Sequence, residues 1–354
     1  MTHPALRTRV CELFGVEHPI VQTGMGFVAG PPLVAATSNA GAFGILGAAT
    51  MDLDELRAAI KETKALTAKP FGVNMRADQP DVMDRADLLS SEGIRVASFA
   101  MAPRVEVMER LRHGGVLVVP SIGAKRHAEK VAAMGVDAVL VQGGEGGGHT
   151  GPVPTSIVLP QVVDALGGSV PVIAAGGFFD GRGLVAALGY GAEGIAMGTR
   201  FLLTKESPVP DVVKTFYLSK TVTDTVVTTR VDGVPHRVLR TAFVEQLERS
   251  GATTGLVRAL RNALAFRKLT GTPLRAMLRE GRAMKRTLEL SWAQVLMAAN
   301  TPMMLRAAMV EGDLRYGVMA SGQVVGVIDD LPAVADLVER IVRDAEATLD
   351  RLAP

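Results

Sequence analysis

The sequence predicts an α/β fold built on a parallel (β/α)8 TIM barrel, and three observations support this. Eight short apolar runs recur along the first 200 or so residues, with amphipathic or alanine-rich segments between them. Several of these segments end in glycine, the usual stop signal of a helix. Only 4% of the 354 residues are aromatic and 38 are glycine, which suits strands joined by many tight loops. Buried strands alternating with helices eight times are typical of this barrel.

The apolar runs predict the eight strands in chain order. They read PIVQTG, AFGILG, PFGVNM, VASFA, GVLVVPS, DAVLVQGG, VPVIAAGG and GIAMGT. Their carboxyl ends are predicted near Gln22, Ile45, Asn74, Phe99, Ser121, Gln142, Ala175 and Met197. An open doubly wound sheet is the alternative, but it normally carries GxGxxG in its first turn, and VQTGMG lacks that spacing.

The regular alternation stops after about Pro208, which indicates a second unit. We predict a barrel domain over residues 1–215 and a smaller, mostly helical lid domain over residues 216–318. The amphipathic segment LPAVADLVERIVRDAEATLDRL then predicts a return to the barrel over residues 319–354 as its last helix. The lid is therefore expected as an insertion before the last barrel helix.

Positive charge is concentrated in one part of the predicted lid. The segment from Arg258 to Arg286 holds nine lysines and arginines against one acid, Glu280, a net +8, whereas the whole chain carries +2. A solvated helix face is the simplest explanation. A phosphate-bearing ligand and a nucleic acid are the alternatives, and the lack of interleaved aromatic residues argues against nucleic acid.

Composition also limits the compartment and the metal chemistry. The single Cys11 excludes a disulfide framework within the chain, and we expect a cytoplasmic protein with no membrane segment, because no apolar run has the length of a bilayer span. No HExxH motif, cysteine pair or Asp/His cluster at ligand spacing is evident, so no metal is predicted. The oligomeric state stays open.

Loops after the last two barrel strands predict a phosphate site. In such barrels, the active site lies at the carboxyl ends of the strands, and these two loops frequently hold phosphate groups. They read AAGGFFDGRG, with Gly176 and Gly177, and AMGTRF, with Gly198 and Thr199. Glycines let backbone N–H groups approach a phosphate, and Thr199 adds a hydroxyl. The alternative is that these glycines only turn the chain.

Amide side chains end three other strands. Gln22 is followed by Gly24 and Met25, and Asn74 and Gln142 end the third and sixth strands. Amides both donate and accept hydrogen bonds, as the edge of a flat heteroaromatic ring such as a flavin requires. Any one of them could instead cap a helix.

The motif VQGGEGGGHTG follows the sixth strand and carries the predicted catalytic residue. We expect its glycines, among them Gly147 and Gly148, to bring the backbone close to a planar cofactor rather than to serve packing. His149 is then the side chain that faces the cavity, able to donate a hydrogen bond or exchange a proton. A structural histidine is the alternative, and Glu145 is expected to fix a loop or a helix start.

These motifs resemble the nitronate monooxygenase (2-nitropropane dioxygenase) family of FMN-dependent barrels. VQGGEGGGHTG is similar to the family's QGxEAGGHxG signature, with Gly146 in place of alanine, and IAAGGF, AMGTRF and PFGVN match its other motifs. The resemblance implies that His149 faces the substrate. It also implies an FMN site formed by Asn74, Gln142, Gly147, Gly176, Gly177, Met197, Gly198 and Thr199; Gly24, Met25 and Gly148 are added from their positions beside it.

Within this family, the whole chain looks most like bacterial flavin oxidoreductases of steroid-ring catabolism, which act on indane-type CoA thioesters. Coenzyme A carries several phosphates, so the resemblance gives Arg275 and Arg279 of the basic segment an expected substrate-binding role. The first hypothesis is an FMN-dependent oxidoreductase with NAD(P)H as reductant and a CoA-linked substrate. The alternatives are a nitronate monooxygenase that oxidises alkyl nitronates with O2 and a silent flavin- or CoA-binding protein.

Overall fold

Eight parallel strands close into a barrel in the computed structural model, which describes residues 3–249 and 301–353. The barrel strands are β1 (Ile20–Gln22), β2 (Phe43–Gly47), β3 (Gly72–Met75), β4 (Val96–Phe99), β5 (Leu117–Ile122), β6 (Val139–Gln142), β8 (Val172–Ala175) and β9 (Ile195–Met197). All eight carboxyl ends lie within two residues of the predicted positions. The predicted TIM barrel is therefore confirmed.

One short helix precedes the first barrel strand, and the others follow the strands and cover their outer faces. They are α1 (Arg9–Phe14), α2 (Pro31–Asn39), α3 (Leu53–Leu66), α4 (Val82–Ser91), α5 (Val105–His113), α6 (Lys125–Ala133), α7 (Thr155–Leu166), α8 (Gly181–Gly189) and α9 (Thr199–Leu202). Local sequence explains the start of α3, where Asp52 and Glu55 form a reciprocal capping box with both hydrogen bonds at 2.8 Å. None of the helices described by the structure is both long and apolar enough to cross a membrane.

Two hydrophobic layers hold the barrel together. Side chains that point inward, such as Ile45, Val119 and Ile173, form an inner core, and Val10 and Phe14 of α1 join it. Phe14 lies against Phe43 of β2 with ring centroids 4.6 Å apart. The larger outer layer lies between the strands and the helices. Polar side chains end β1 and β6, at Gln22 and Gln142.

The chain after residue 202 adds helices and a small sheet. The further elements are α10 (Asp211–Leu218), β10 (Thr225–Thr228), β11 (His236–Leu239), α11 (Ala242–Arg249), α12 (Thr301–Met309) and α13 (Val334–Leu352). β10 and β11 form an antiparallel hairpin, and β11 also pairs with β7 (Gly148–His149), which lies between β6 and α7. A strand pairing thus joins the segment predicted as a mostly helical lid to the glycine motif. The domain limits stay a prediction.

Helix α13 packs on the barrel through its apolar face. Leu337, Val338 and Ile341 are buried, and the helix contacts α8 most extensively and also α2. A Cβ atom on Gly181 of α8 would lie 2.2 Å from the backbone nitrogen of Ala345, so only glycine allows this close approach. The last helix therefore covers the α8 side of the barrel.

Candidate active site

The loop between β6 and α7 is held in place by Glu145. The Glu145 carboxylate accepts hydrogen bonds from the Thr155 backbone nitrogen at 2.9 Å and from the Thr155 hydroxyl at 2.7 Å. Thr155 is the first residue of α7, so the carboxylate satisfies a backbone donor at the start of that helix. The structure places Glu145 in the loop-fixing position expected for it.

Three glycines of the loop serve packing, contrary to expectation. A Cβ atom on Gly143 would lie 1.9 Å from the Thr155 hydroxyl oxygen, and one on Gly146 would lie 2.5 Å from Nε2 of Gln142. A Cβ on Gly147 would lie 2.5 Å from the backbone nitrogen of Gly322. Gly143 and Gly147 therefore require glycine because backbone atoms leave no room, whereas at Gly146 the neighbour is the flexible side chain of Gln142, which can shift. The sequence cannot show which segment folds back onto a glycine.

Gly148 is different, because its surroundings are open. Its φ is +74°, a left-handed conformation that favours glycine, and a Cβ atom there would meet no heavy atom within 4 Å among the described residues. Gly177, after β8, is also left-handed at +82°, and its nearest neighbour would be Cβ of Glu145 at 3.8 Å. The two glycines leave backbone accessible to a ligand.

The three amide side chains lie at the carboxyl ends of their strands. Gln22 is fully buried, its Nε2 donates to the backbone oxygens of Thr23 and Ile45, and its Oε1 is buried with no partner in the described part of the chain. Asn74 is 3.4 Å from the Ser98 hydroxyl. Gln22 therefore offers an unused acceptor at the end of β1.

Gln142 and Asn74 also contact the loops beside them. Nε2 of Gln142 donates to the backbone oxygen of His149 at 2.8 Å, which fixes the position of that residue. A Cβ atom on Gly24 would lie 2.3 Å from Cβ of Asn74, so the loop after β1 presses directly on β3. The amide of Gln142 thus organises the glycine motif.

The loop after β9 contacts the returning chain. Thr199 is the first residue of α9, and its hydroxyl oxygen accepts a hydrogen bond from the Gly322 nitrogen at 3.0 Å. Gly198 lies close to Met25, since a Cβ on it would be 3.3 Å from the Met25 sulfur. Met197 ends β9, and its backbone oxygen accepts from the Thr23 nitrogen at 3.2 Å. The predicted residues after β1 and β9 are therefore neighbours.

His149 belongs to a cluster that the sequence analysis missed. Its Nε2 lies 2.6 Å from Oδ2 of Asp232, and Nδ1 of His236 lies 3.3 Å from the same oxygen. The side chain of His149 is 59% exposed, whereas those of Asp232 and His236 are 7% and 5% exposed. Pairing of β7 with β11 sets His149 opposite His236 and so creates the cluster.

Asp232 is ionised in this environment. Burial raises its pKa, but the hydrogen bonds and charges of His149 and His236 outweigh burial and hold the pKa well below its usual range. The statement that no Asp/His cluster occurs at ligand spacing is thus wrong, because the three ligand atoms lie within 4.8 Å of one another. However, the Asp232 oxygen and the His149 nitrogen are 2.6 Å apart, which is a hydrogen-bond distance. Two atoms that bind the same zinc ion are usually separated by about 3 Å or more.

The hairpin that carries Asp232 has a recognisable signal. The sequence TVVTTRVDGVPHRVL places a DG pair between two runs rich in β-branched residues, a pattern typical of hairpins. Arg237 also lies on this hairpin and donates from Nη2 to the Gly144 oxygen at 2.8 Å. Arg275 and Arg279, the predicted substrate-binding residues, lie outside the described residues.

The closed parallel barrel carries amide side chains, glycine loops and an exposed histidine at the carboxyl ends of its strands. This arrangement is typical of a barrel enzyme. The model of the family described as "Nitronate monooxygenase" matches residues 7–92 and 85–344. The chain therefore belongs to the nitronate monooxygenase family, and it is a flavin-dependent oxidoreductase.

Two curated relatives carry one name. A Mycobacterium tuberculosis protein is 61% identical over 341 residues, 96% of each chain, and is named (3aS,4S,5R,7aS)-5-hydroxy-7a-methyl-1-oxo-octahydro-1H-indene-4-carboxyl-CoA dehydrogenase. A Rhodococcus jostii protein with the same name is 59% identical over 347 residues, 98% of each chain. Among solved structures, FabK from Thermotoga maritima matches with a TM-score of 0.79 at 34% identity over 98% of each chain.

The residues present fit a flavin. The buried, unpartnered Oε1 of Gln22 can accept a hydrogen bond from a ring N–H, and Gly148 and Gly177 leave room for a ligand beside the backbone. Gln22, Gly177 and His149 all follow or end strands of the same barrel, or lie on the loop beside it.

Proposed function

We propose that this protein is an FMN-dependent dehydrogenase of a carboxyl-CoA thioester with a hydroxylated, oxo-substituted indane ring system. The observation that carries the proposal is 61% identity over 96% of the chain to a protein named for that activity. The same name at 59% identity in a second organism supports it. The names describe dehydrogenation, so we propose the oxidative direction rather than the reductive one expected from the sequence.

FMN is proposed to bind at the carboxyl ends of the strands. Asn74, Gln142 and the backbone of Gly24, Met25, Gly147 and Gly148 are proposed to surround the ring. The loops after β8 and β9 are proposed to hold the phosphate, through Gly176, Gly177, Met197, Gly198 and Thr199. Bound FMN would supply two-electron redox chemistry. NAD(P)+ is proposed as the final electron acceptor, with NAD(P)H as the reductant in the reverse direction.

His149 is the proposed catalytic residue, because dehydrogenation requires a group that takes up a proton from the substrate. Its side chain is exposed at the carboxyl-terminal face, and Gln142 fixes its backbone. Its Nε2 is bound to Asp232, which leaves the other ring nitrogen for the substrate. Proton transfer by a well-placed histidine is worth about 100-fold or more in rate.

The first test is anaerobic stopped-flow absorbance of the purified flavoprotein. The protein is mixed separately with the hydroxylated indane carboxyl-CoA thioester, NADH, NADPH and an alkyl nitronate. We expect the flavin band to bleach with the thioester and with one pyridine nucleotide, and to persist with the nitronate. Bleaching by the nitronate alone would refute the proposal and support nitronate oxidation, the alternative that the family name offers.

The basic segment is proposed to bind the phosphates of coenzyme A. Its nine basic residues give it a net +8, and guanidinium groups form bidentate hydrogen bonds with phosphate oxygens. We expect Arg275→Glu with Arg279→Glu to raise KM for the thioester at least about 10-fold, since each lost charge-assisted contact is worth about 1.5 kcal/mol or more. The matched control is Arg57→Glu with Lys61→Glu, two exposed positions on α3. An equal rise in KM in both double variants would show that only net charge matters.

A further inference from the structure

Asp232 accepts three hydrogen bonds from residues that the structure describes, and two of them come from imidazoles. Oδ1 accepts from the Val234 backbone nitrogen at 3.2 Å, and Oδ2 is contacted by His149 and by His236. The Val234 contact fixes the rotation of the carboxylate, because it determines which oxygen faces the two rings. A backbone contact within the same turn therefore orients the Asp232 carboxylate independently of His149.

An ionised carboxylate can only accept hydrogen bonds. Both ring nitrogens that face Oδ2 must then carry hydrogen: Nε2 of His149 and Nδ1 of His236. In neutral His149 the remaining nitrogen, Nδ1, bears a lone pair, and it makes no hydrogen bond to any residue that the structure describes. The contacts of Asp232 thus specify one tautomer of His149.

We propose that Asp232 is a positioning residue that holds the His149 proton on Nε2 and leaves Nδ1 as the atom that accepts the substrate's proton. This inference rests on the proposed function of His149. His236 is the second positioning residue, and it acts through Asp232. Neither residue contacts the reacting atoms in this assignment.

His236 completes the arrangement by covering the carboxylate. Its ring is buried and lies 4.7 Å from the His149 ring between centroids. It donates to the oxygen that His149 contacts, and it excludes water from that side of Asp232. Because electrostatic interactions strengthen where water is excluded, the covered carboxylate orients His149 more firmly than an exposed one would.

The test compares five variants with the wild-type flavoprotein, each loaded with FMN: His149→Ala and the four variants that follow. Asp232→Asn keeps the shape of the side chain, but its amide must present N–H groups either to Val234 or to the imidazoles. His236→Asn retains a donor near the Nδ1 position, and His236→Phe removes it. Asp224→Asn is the matched control, because Asp224 precedes β10 and its carboxylate binds Thr221 away from the cluster.

The readouts are kcat and KM for the thioester, FMN content, and ¹⁵N spectra of histidine-labelled protein. The chain has six histidines, so the spectrum of His149→Ala assigns the His149 signal by its loss. In the wild type at alkaline pH we expect the Nε2–H tautomer of His149. Asp232→Asn should populate the other tautomer and lower kcat by about 100-fold or more, with FMN content unchanged and KM within about threefold.

The two variants His236→Asn and His236→Phe keep the inference testable if Asp232→Asn folds poorly. His236→Asn should retain the tautomer and most of kcat, whereas His236→Phe should lose about 10-fold or more in kcat. The control Asp224→Asn should match the wild type. Equal losses in the two His236 variants would contradict the inference.

The outcome also separates this inference from the proposed function. If His149→Ala abolishes turnover while Asp232→Asn retains both kcat and the tautomer, the positioning role is wrong and the function of His149 stands. If His149→Ala retains turnover, the proposed catalytic role of His149 is wrong. One equivalent of zinc in the purified wild type, absent from Asp232→Asn, would instead identify the cluster as a metal site and overturn the inference.

Discussion

Replacing Gly147 with alanine tests whether the glycine motif is shaped by the returning chain. The added Cβ would lie 2.5 Å from the Gly322 nitrogen and 2.5 Å from the Ser321 carbonyl carbon. Ordinary contacts between such atoms are about 3.5 Å or longer, so the backbone must separate by about 1 Å. The Gly322 nitrogen also donates to the Thr199 hydroxyl at 3.0 Å, and a shift of that size would break this hydrogen bond.

Two contributions set the size of the effect. A lost buried hydrogen bond contributes about 1 kcal/mol, and forcing an atom into a filled space costs about 1–3 kcal/mol. Gly147→Ala should therefore lower the free energy of unfolding by about 2–4 kcal/mol. For a chain of 354 residues, that corresponds to a fall in Tm of about 3–5 °C. FMN should also bind more weakly, since Thr199 is a proposed phosphate contact.

The assay is a thermal unfolding scan of the FMN-loaded protein, followed by flavin fluorescence and by circular dichroism. Gly189→Ala is the matched control, because Gly189 is the last residue of α8 and a Cβ there meets no described heavy atom within 4 Å. This variant should equal or slightly exceed the wild-type Tm. A Tm of Gly147→Ala within 1 °C of the control would refute the close contact between Gly147 and Gly322.

Three further predictions concern buried charges and caps. Asp330→Ala removes the carboxylate that lies 2.7 Å from the buried Arg200 guanidinium, so the free energy of unfolding should fall by about 3 kcal/mol. In urea titrations, the double variant with Arg200→Met should recover most of that loss, because no buried charge is then left unpaired. Glu145→Ala should cost about 1–2 kcal/mol, measured the same way, and Glu145→Gln less. Folding lowers the pKa of Asp232, so its ionised carboxylate stabilises the protein fully above the unfolded pKa near 4, and this stabilisation is lost as the pH falls further. In urea titrations, the difference in free energy of unfolding between wild type and Asp232→Asn should therefore become smaller below about pH 4. A gap independent of pH would contradict this.

The barrel was predictable because each strand is a local signal. A run such as DAVLVQGG is short, apolar in its centre and ends in polar and small residues, and runs of this kind recur eight times along the chain. Gln142 and Ala175 end their strands where the sequence predicted. The loops that carry His149, Gly177 and Thr199 were placed at the correct face for the same reason.

The His149 cluster was not predictable in this way, because it depends on contacts between distant segments. Asp232 follows His149 by 83 residues, and only the pairing of β11 with β7 brings the two together. The DG turn indicates that a hairpin forms, but a local pattern carries no information on which other strand its edge will join. A buried carboxylate beside an exposed histidine is thus a property of the assembled fold.

The glycines of VQGGEGGGHTG show why composition alone misled the sequence analysis. Gly143 and Gly147 are required because Thr155 and Gly322 lie against them, whereas Gly148 leaves space and continues into β7. The motif thus joins the barrel, the hairpin and the returning chain at one point, directly before His149. A side chain added at either of these close contacts is therefore expected to move the loop that carries His149 relative to the ends of the barrel strands. The glycine motif therefore determines the geometry of the proposed reaction through contacts within the protein as well as through its accessible backbone.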